Sequence, residues 1–288
     1  MPMARVAYVN GRYRPLAGEA IALEDRGYQF ADGVYEVIKV LAGRPRDLER
    51  HLDRLQRSLA ALEIAAPMSR AALTSVLSET LRRNRLRDAL LYVQVTRGTA
   101  PRNHVYPKQA RPSLVVTARK PAFPSARERA EGVGVITLPD LRWGRCDIKS
   151  ISLLPNVMAR QRAAAAGCRE AWLVDQAGCV TEGSASNAYI VDQGGRLLTH
   201  PLSERILGGI TRAVVLELAR ADGIPVVERP FSVAEAQAAR EAALSSTSSM
   251  LLPVTAIDER TVGNGHPGSV VRRLLELYDG HLQSAARC

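Results

Sequence analysis

The chain has 288 residues, 46% of them hydrophobic and 24% charged, with a formal net charge of +10. This is the composition of a globular protein built as one large domain or two medium ones, and it excludes a disordered, collagen-like or disulfide-framework chain. No apolar run approaches the ~18 residues a membrane span needs, and Met1-Pro2-Met3-Ala4-Arg5 lacks the apolar core of a leader, so a cytoplasmic protein without membrane contacts is expected.

In chain order, Arg5 to Tyr8 alternates, Asn10-Gly11 supplies a hairpin turn, and Arg12 to Pro15 returns. A Gly-punctuated loop, Tyr28-Gln29-Phe30-Ala31-Asp32-Gly33, leads into a strand from Val34 to Leu41, with Tyr35 at its start. A helix beginning at Pro45 or Asp47 carries Leu48, Leu52, Leu55, Leu59 and Leu62 at helical spacing, and Arg50, His51, Asp53, Arg54 and Arg57 form its polar side. Residues 68–83 form a second amphipathic helix, followed by strands from Ala89 to Thr96 and from Ser113 to Ala118. The two prolines in Arg119-Lys120-Pro121-Ala122-Phe123-Pro124-Ser125 mark a break. Residues 1–120 are therefore expected to form an α+β domain, 121–128 a linker, and 129–288 a second domain that contains Lys149.

That second domain reads as strands at Val133 to Leu138, Glu170 to Val174, Cys179 to Thr181, Asn187 to Val191 and Pro225 to Glu228. Its helices are expected from Asn156 to Ala166, from Leu207 to Arg220, from Val233 to Arg240 and from about Ser269 to Leu282. Ala242 to Leu244 runs into the hydroxyl-rich Ser245-Ser246-Thr247-Ser248-Ser249.

The positive charge does not point to nucleic acid. The one cluster, Arg82, Arg83, Arg85 and Arg87, reads as the solvated end of a helix, and no aromatic residues are interleaved with it to stack on bases. The cysteines, Cys146, Cys168, Cys179 and Cys288, form no Cys-x-x-Cys pair and no metal-ligand spacing, so no metal site is expected. Cys146 reads first as a packed thiol.

Of 39 basic residues only four are lysine: Lys39, Lys108, Lys120 and Lys149. Each is a candidate for chemistry closed to arginine, namely losing a proton and attacking a carbonyl. Lys149 follows a strand-like run and Ile148 and precedes a small-residue turn. This predicts an amine at a strand end facing a crevice, where desolvation favours the neutral form. A solvated surface lysine is the alternative.

Other constellations suit a flat anionic ligand. The helix opening at Gly208-Gly209-Ile210-Thr211 offers free N–H groups and a favourable dipole to a phosphate. The Ser245–Ser249 run and an arginine from the first domain are further candidates. Glu182, in Thr181-Glu182-Gly183-Ser184-Ala185-Ser186-Asn187, is a carboxylate able to hold a protonated ring nitrogen. In Arg102-Asn103-His104 an extended chain points two donors the same way, which makes a clamp for a carboxylate. Singly, each is also what an ordinary turn, loop or strand end looks like.

Six segments occur together and in order: Asp25 through Glu36, His51-Leu52-Asp53-Arg54-Leu55, Thr96-Arg97-Gly98, Asp147-Ile148-Lys149-Ser150, Thr181-Glu182-Gly183 and Gly209-Ile210-Thr211-Arg212. In this combination the chain resembles the class IV, or fold-type IV, pyridoxal-phosphate aminotransferases, from about Val6 to the last helix. The Arg102-Asn103-His104 element, Asp25 to Glu36 and Arg142-Trp143 to Ser150 are most similar to the D-amino acid branch. The branched-chain L-amino acid enzymes and the aminodeoxychorismate lyases are the alternatives on the same fold.

The resemblance implies a mixed α+β and α/β fold of two domains, with pyridoxal 5′-phosphate at their interface. It implies that Lys149 binds the cofactor and moves the substrate proton. Glu182 would hold the pyridine nitrogen, and Leu207 would pack on the ring. Arg54, Ile210, Thr211, Ser246 and Thr247 would hold the phosphate. Tyr35, Arg102 and His104 would hold the substrate α-carboxylate, and its side of the ring would select the D enantiomer. The Arg-x-His loop implies a homodimer, because in that family it reaches the neighbouring subunit's site. Ser184-Ala185-Ser186, Ser248-Ser249-Met250 and Met250-Leu251-Leu252 depart from the family pattern.

Overall fold

The computed structural model describes residues 5–284; Met1 to Ala4 and Ala285 to Cys288 lie outside the described residues. Two units divide the chain, Met1–Pro121 with Ile148–Ser152, and Ala122–Asp147 with Leu153–Cys288.

The first unit runs β1 (Val6–Val9), β2 (Arg12–Pro15), α1 (Arg26–Phe30), β3 (Gly33–Leu41), β4 (Arg44–Pro45), α2 (Leu48–Ala61), α3 (Arg70–Asn84), β5 (Ala89–Thr96) and β6 (Ser113–Arg119). Its sheet has the order β2-β1-β6-β5-β3-β4, and every pairing is antiparallel. The leucine spacing of α2 buries Leu52, Leu55 and Leu59 against the alternating Val34, Ile38 and Val40 of β3. Each such side chain contributes about 1.5–3 kcal/mol. His51 and Arg54 are not on a solvated side of α2: both are buried, 3% and 4% exposed. They sit on the buried stripe because Glu36 of β3 reaches them there.

The Lys149 segment belongs to this first unit rather than to the second. Its backbone crosses the start of β3: the Tyr35 N–H donates to the Lys149 carbonyl at 3.0 Å, and the Ile151 N–H to that of Gly33 at 3.0 Å. No strand leads into it. The nearest strand before it ends at Pro139, and the residues between are irregular with a turn at Cys146 and Asp147, so Lys149 lies between a bend at Ile148 and a single bridge from Ser150 to Val34.

The second unit runs α4 (Ala126–Glu131), β7 (Val133–Pro139), α5 (Leu154–Ala165), β8 (Glu170–Val174), β9 (Val180–Gly183), β10 (Asn187–Val191), β11 (Leu197–Thr199), α6 (Ile210–Ala221), β12 (Val226–Glu228), α7 (Val233–Gln237), β13 (Glu241–Ser246), β14 (Met250–Ile257), β15 (Arg260–Thr261) and α8 (Ser269–Ser284). Its mixed sheet has the order β12-β11-β10-β13-β14-β7-β8-β9, with β15 on β14. The expected linker contains the start of α4, because Ser125 and Glu128 form a capping box. Glu241, itself buried, accepts from the N–H groups of Val270 and Val271 at the start of α8, at 3.1 and 2.7 Å, and so anchors the last helix by its dipole. No helix among the described residues is long and apolar enough to cross a membrane.

Candidate active site

In the first unit, Lys149 is half-buried, and its Nζ lies 4.2 Å from the centre of the Tyr35 ring. Its backbone N–H donates to Ser58 Oγ at 3.2 Å, and Ser58 is one helical turn beyond Arg54 on α2. The Tyr35 ring lies 5.6 Å from that of Tyr92, tilted by 32°. Burial pushes the Tyr92 hydroxyl up to about 12, with the nearby Tyr35 adding to the rise. Arg54 grips Glu36 with two parallel bonds, Nε to Oε1 at 2.7 Å and Nη2 to Oε2 at 2.8 Å, while His51 Nδ1 lies 2.7 Å from Oε2. Burial raises the affinity of Glu36 for a proton, but the Arg54 ion pair and the hydrogen bonds from Arg54 and His51 outweigh it and hold the carboxyl at about 2. Glu36 thereby fixes the plane of the guanidinium.

Arg102 and His104 are exposed and meet on one ring: Arg102 lies 4.6 Å over Phe30, and the His104 ring is 5.3 Å from it. Arg26 stands 4.8 Å from the same ring and donates to the Asn103 carbonyl. Asp32 ties this platform down, taking Arg26 at 2.7 Å and Arg97 at 2.8 Å, and Arg97 in turn lies 3.5 Å from the centre of the Tyr106 ring. The motifs around Asp25 to Gly33 and Thr96 to Gly98 thus build the support for the Arg102–His104 loop. Tyr35 has different partners from these two, standing with Lys149 and Tyr92.

In the second unit, Glu182 is the next-to-last residue of β9 and is 5% exposed. The Leu207 N–H donates to both its oxygens at 3.1 Å, and Asn187 Nδ2 donates to Oε2 at 3.0 Å and to the Leu207 carbonyl at 3.0 Å. Arg142 donates to Oε1. Sequence reasoning quoted Arg142 without giving it a role. Its signal was Asp140-x-Arg142 directly after β7. Glu170 was missed too: it is buried, bonded by the hydroxyls of Ser184 and Ser186, and so holds the loop behind Glu182.

Helix α6 starts at Ile210 with Gly209 as its N-cap and no side-chain cap bond. Its first intrahelical N–H is that of Ala213, donating to Gly209, which leaves the N–H groups of Ile210 and Thr211 directed out of the helix end. Asn187 stands opposite Ser245 in the β10–β13 ladder and against Gly209, which brings this helix end beside the tight β13–β14 turn. In that turn the Ser249 N–H donates to Ser246 Oγ at 2.9 Å, and Ser246 to Ser249 are half-buried. Glu182, Leu207, Ile210, Thr211, Ser246 and Thr247 are thus gathered in one unit, and Lys149, Tyr35, Arg54, Arg102 and His104 in the other.

The donors of each unit fit part of a phosphorylated pyridine aldehyde. The second unit offers an uncapped helix start among small residues and hydroxyls that suit a phosphate, and a buried carboxylate that suits a ring N–H. The first unit offers a primary amine on an aromatic face that suits an aldehyde. Cys146 is buried, and burial is the main cause that pushes its thiol up to about 11, so it is a packing group rather than a nucleophile. Among the described residues no group of three or more His, Cys, Asp or Glu is placed to hold a metal.

Gly209 has an ordinary φ of −66°, so space and not backbone freedom requires it. A Cβ there would lie 2.1 Å from Asn187 Oδ1, and that amide cannot retreat without releasing Glu182 and Leu207. Gly209→Ala is expected to cost about 1–3 kcal/mol of stability in a denaturant melt.

The family model for amino-transferase class IV matches residues 33–257. The chain is 43% identical over 265 residues to a D-alanine aminotransferase of Bacillus licheniformis, covering 92% of this chain and 93% of that one. It is 35% identical to a D-alanine aminotransferase of Staphylococcus epidermidis, over 96% and 98% of the two chains. Among solved structures, the branched-chain amino acid aminotransferase of Escherichia coli superposes with a TM-score of 0.89 at 22% identity, over 96% and 94% of the two chains, and so shares the fold. The chain belongs to the class IV aminotransferases, the fold-type IV enzymes of its sequence motifs.

Proposed function

We propose that this protein is a D-amino acid aminotransferase, a pyridoxal-phosphate enzyme that moves the amino group of a D-amino acid such as D-alanine to a 2-oxo acid such as 2-oxoglutarate. The observation that carries the choice of substrate is the Arg102-Asn103-His104 loop, with both donors seated on Phe30. The identity to D-alanine aminotransferases, at 35–43%, supports the same choice. Pyridoxal phosphate, when bound, supplies an aldehyde for amine exchange and a ring that takes up the electron pair left at the substrate Cα.

The chain's own residues do the rest. Lys149 would hold the cofactor through its amine and would move the proton at the substrate Cα. Glu182 would keep a proton on the ring nitrogen, and Leu207 would pack on the ring. Arg54, the N–H of Ile210, Thr211, Ser246 and Thr247 would hold the phosphate. Tyr35, Arg102 and His104 hold the substrate carboxylate, and the side on which they hold it selects the D enantiomer.

The protein acts as a homodimer, a reading supported by the exposure of Arg102, His104, Val105 and Tyr106 on their own chain. It works in the cytoplasm, which the free thiols of Cys146, Cys168 and Cys179 support. A panel of D- and L-amino acids with 2-oxoglutarate is the test. Turnover of D-alanine is expected, and turnover confined to L-leucine or aminodeoxychorismate would overturn the reading. Arg102→Met removes a charged hydrogen-bond donor and is expected to raise KM for D-alanine by about 10–100-fold, with a smaller change in kcat.

A further inference from the structure

Glu182 does not stand alone with its ring-nitrogen task. Arg142 donates to its Oε1, and Asp140 holds Arg142 from behind through Nε at 2.9 Å and Nη2 at 2.7 Å. The Asp140 carboxylate also accepts from the Arg142 backbone N–H at 3.1 Å, and the Thr181 hydroxyl lies 2.8 Å from its Oδ2. The three side chains are 12%, 6% and 6% exposed for Asp140, Arg142 and Glu182. Charges at such separations interact with little screening by salt. The other titratable groups nearby are already neutral or paired. Cys146 keeps its thiol proton, and Asp147 is bonded to Arg145 at 3.0 and 2.9 Å.

We propose, resting on the reading above, that Asp140 is a positioning residue for the reaction: through Arg142 it sets the charge that Glu182 presents to the cofactor's ring nitrogen. The chain of carboxylate, guanidinium and carboxylate carries a net charge of about −1, which matches one ring N–H proton. Without Asp140, the Arg142 cation would cancel Glu182, and the ring nitrogen would lose its proton at lower pH. Without both Asp140 and Arg142, Glu182 alone restores the net charge. A purely structural role for Asp140 gives no such reversal.

The test uses the full-length protein loaded with pyridoxal phosphate carrying 15N at the ring nitrogen. The nitrogen chemical shift is followed against pH, and thermal melting of the cofactor-free proteins serves as the folding control. Asp140→Asn is expected to move the loss of the ring proton down by about one pH unit or more. Arg142→Gln is expected to move it no lower than in the parent protein, and Asp140→Asn/Arg142→Gln to return to the parent's value. With D-alanine, Asp140→Asn should lower kcat roughly tenfold and leave KM nearly unchanged.

An unmoved ring proton in Asp140→Asn overturns the proposal, as does an equal downward shift in all three variants, which would mean local damage. If Asp140→Asn does not fold, Thr181→Val takes its place with a smaller downward shift expected, and no shift there has the same meaning. A parent protein that takes up no pyridoxal phosphate would instead fail the functional reading, and this proposal would fall with it.

Discussion

Replacing Lys149 with alanine is expected to leave a folded protein that transaminates D-alanine at least about 10,000-fold more slowly. General acid–base catalysis alone contributes up to about 10,000-fold, and the covalent hold on the cofactor is lost as well. The fold should survive, because the segment is held by its backbone: the Lys149 carbonyl accepts from the Tyr35 N–H, and its N–H donates to Ser58. No other lysine can take over. Strand alternation puts Lys39 on the same side of β3 as Tyr35, but four residues further along, at about 13 Å. Lys108 and Lys120 are exposed. Single-turnover kinetics of the amino-donor half-reaction would read the loss, and a rate within tenfold of the parent would contradict the role given to Lys149.

Arg54→Ala is expected to cost about 3–5 kcal/mol of stability, since it strands a carboxylate in the core of the first unit. Glu36 is fully buried and depends on Arg54 for two of its hydrogen bonds. The pH dependence carries a sign. In the parent protein the folded-state proton affinity of Glu36 is depressed to about 2. Its contribution is therefore fully present above the ordinary carboxylate value near ~4.3. It is lost as pH falls from there through about 2. In Arg54→Ala, burial is no longer outweighed by the cation, so the acid-induced loss should begin at higher pH. Glu36→Leu/Arg54→Met, which removes both charges, should be less destabilised than the single variant. Urea melts between pH 3 and 7 would show this, and equal stabilities for the single and double variants would contradict it. Pyridoxal phosphate should bind Arg54→Ala about 10–100-fold more weakly, from the lost bonds to its phosphate.

Much of the fold was legible where one periodicity governs a segment. The strands Ala89–Thr96, Glu170–Val174 and Asn187–Val191 alternate or run apolar between turn residues, and α2 repeats its leucines at helical spacing. Met250–Ile257 was not legible as a strand, because Pro253 lies inside it. A proline has no N–H for the ladder, yet here it stands opposite Ala243 where β14 also pairs irregularly with β7. The burial of His51 and Arg54 was hidden for a different reason. Polar residues on a helix read as solvated unless their partner, here Glu36 in another element, is known. The turn that carries Lys149 looked like a strand end because Ile148 is apolar, but Ile148 is buried in the first unit's core from a bend.

The candidate site was legible through its motifs and not through its spacing. Residues from Tyr35 to Thr247 had to be assembled by family resemblance, since no periodicity links a bend, a helix start and a hairpin turn. What that resemblance left out is the support: Phe30 and Asp32 beneath Arg102 and His104, Asn187 between Gly209 and Glu182, and Asp140 behind Arg142. The contacts of Arg102 and His104 with Phe30, and of Asn187 with Gly209, exist only once segments distant in sequence are side by side, and the local Asp140–Arg142 pair gains its role only when Arg142 reaches Glu182.

The central claim is that the amine of Lys149 is the group that holds pyridoxal phosphate. Reducing the loaded protein with borohydride and mapping its peptides by mass spectrometry tests it most directly. The account predicts a phosphopyridoxyl group on the peptide containing Lys149, absent from Lys149→Ala. A label on Lys39, Lys108 or Lys120, or no label on a protein that folds and is offered excess cofactor, would contradict it.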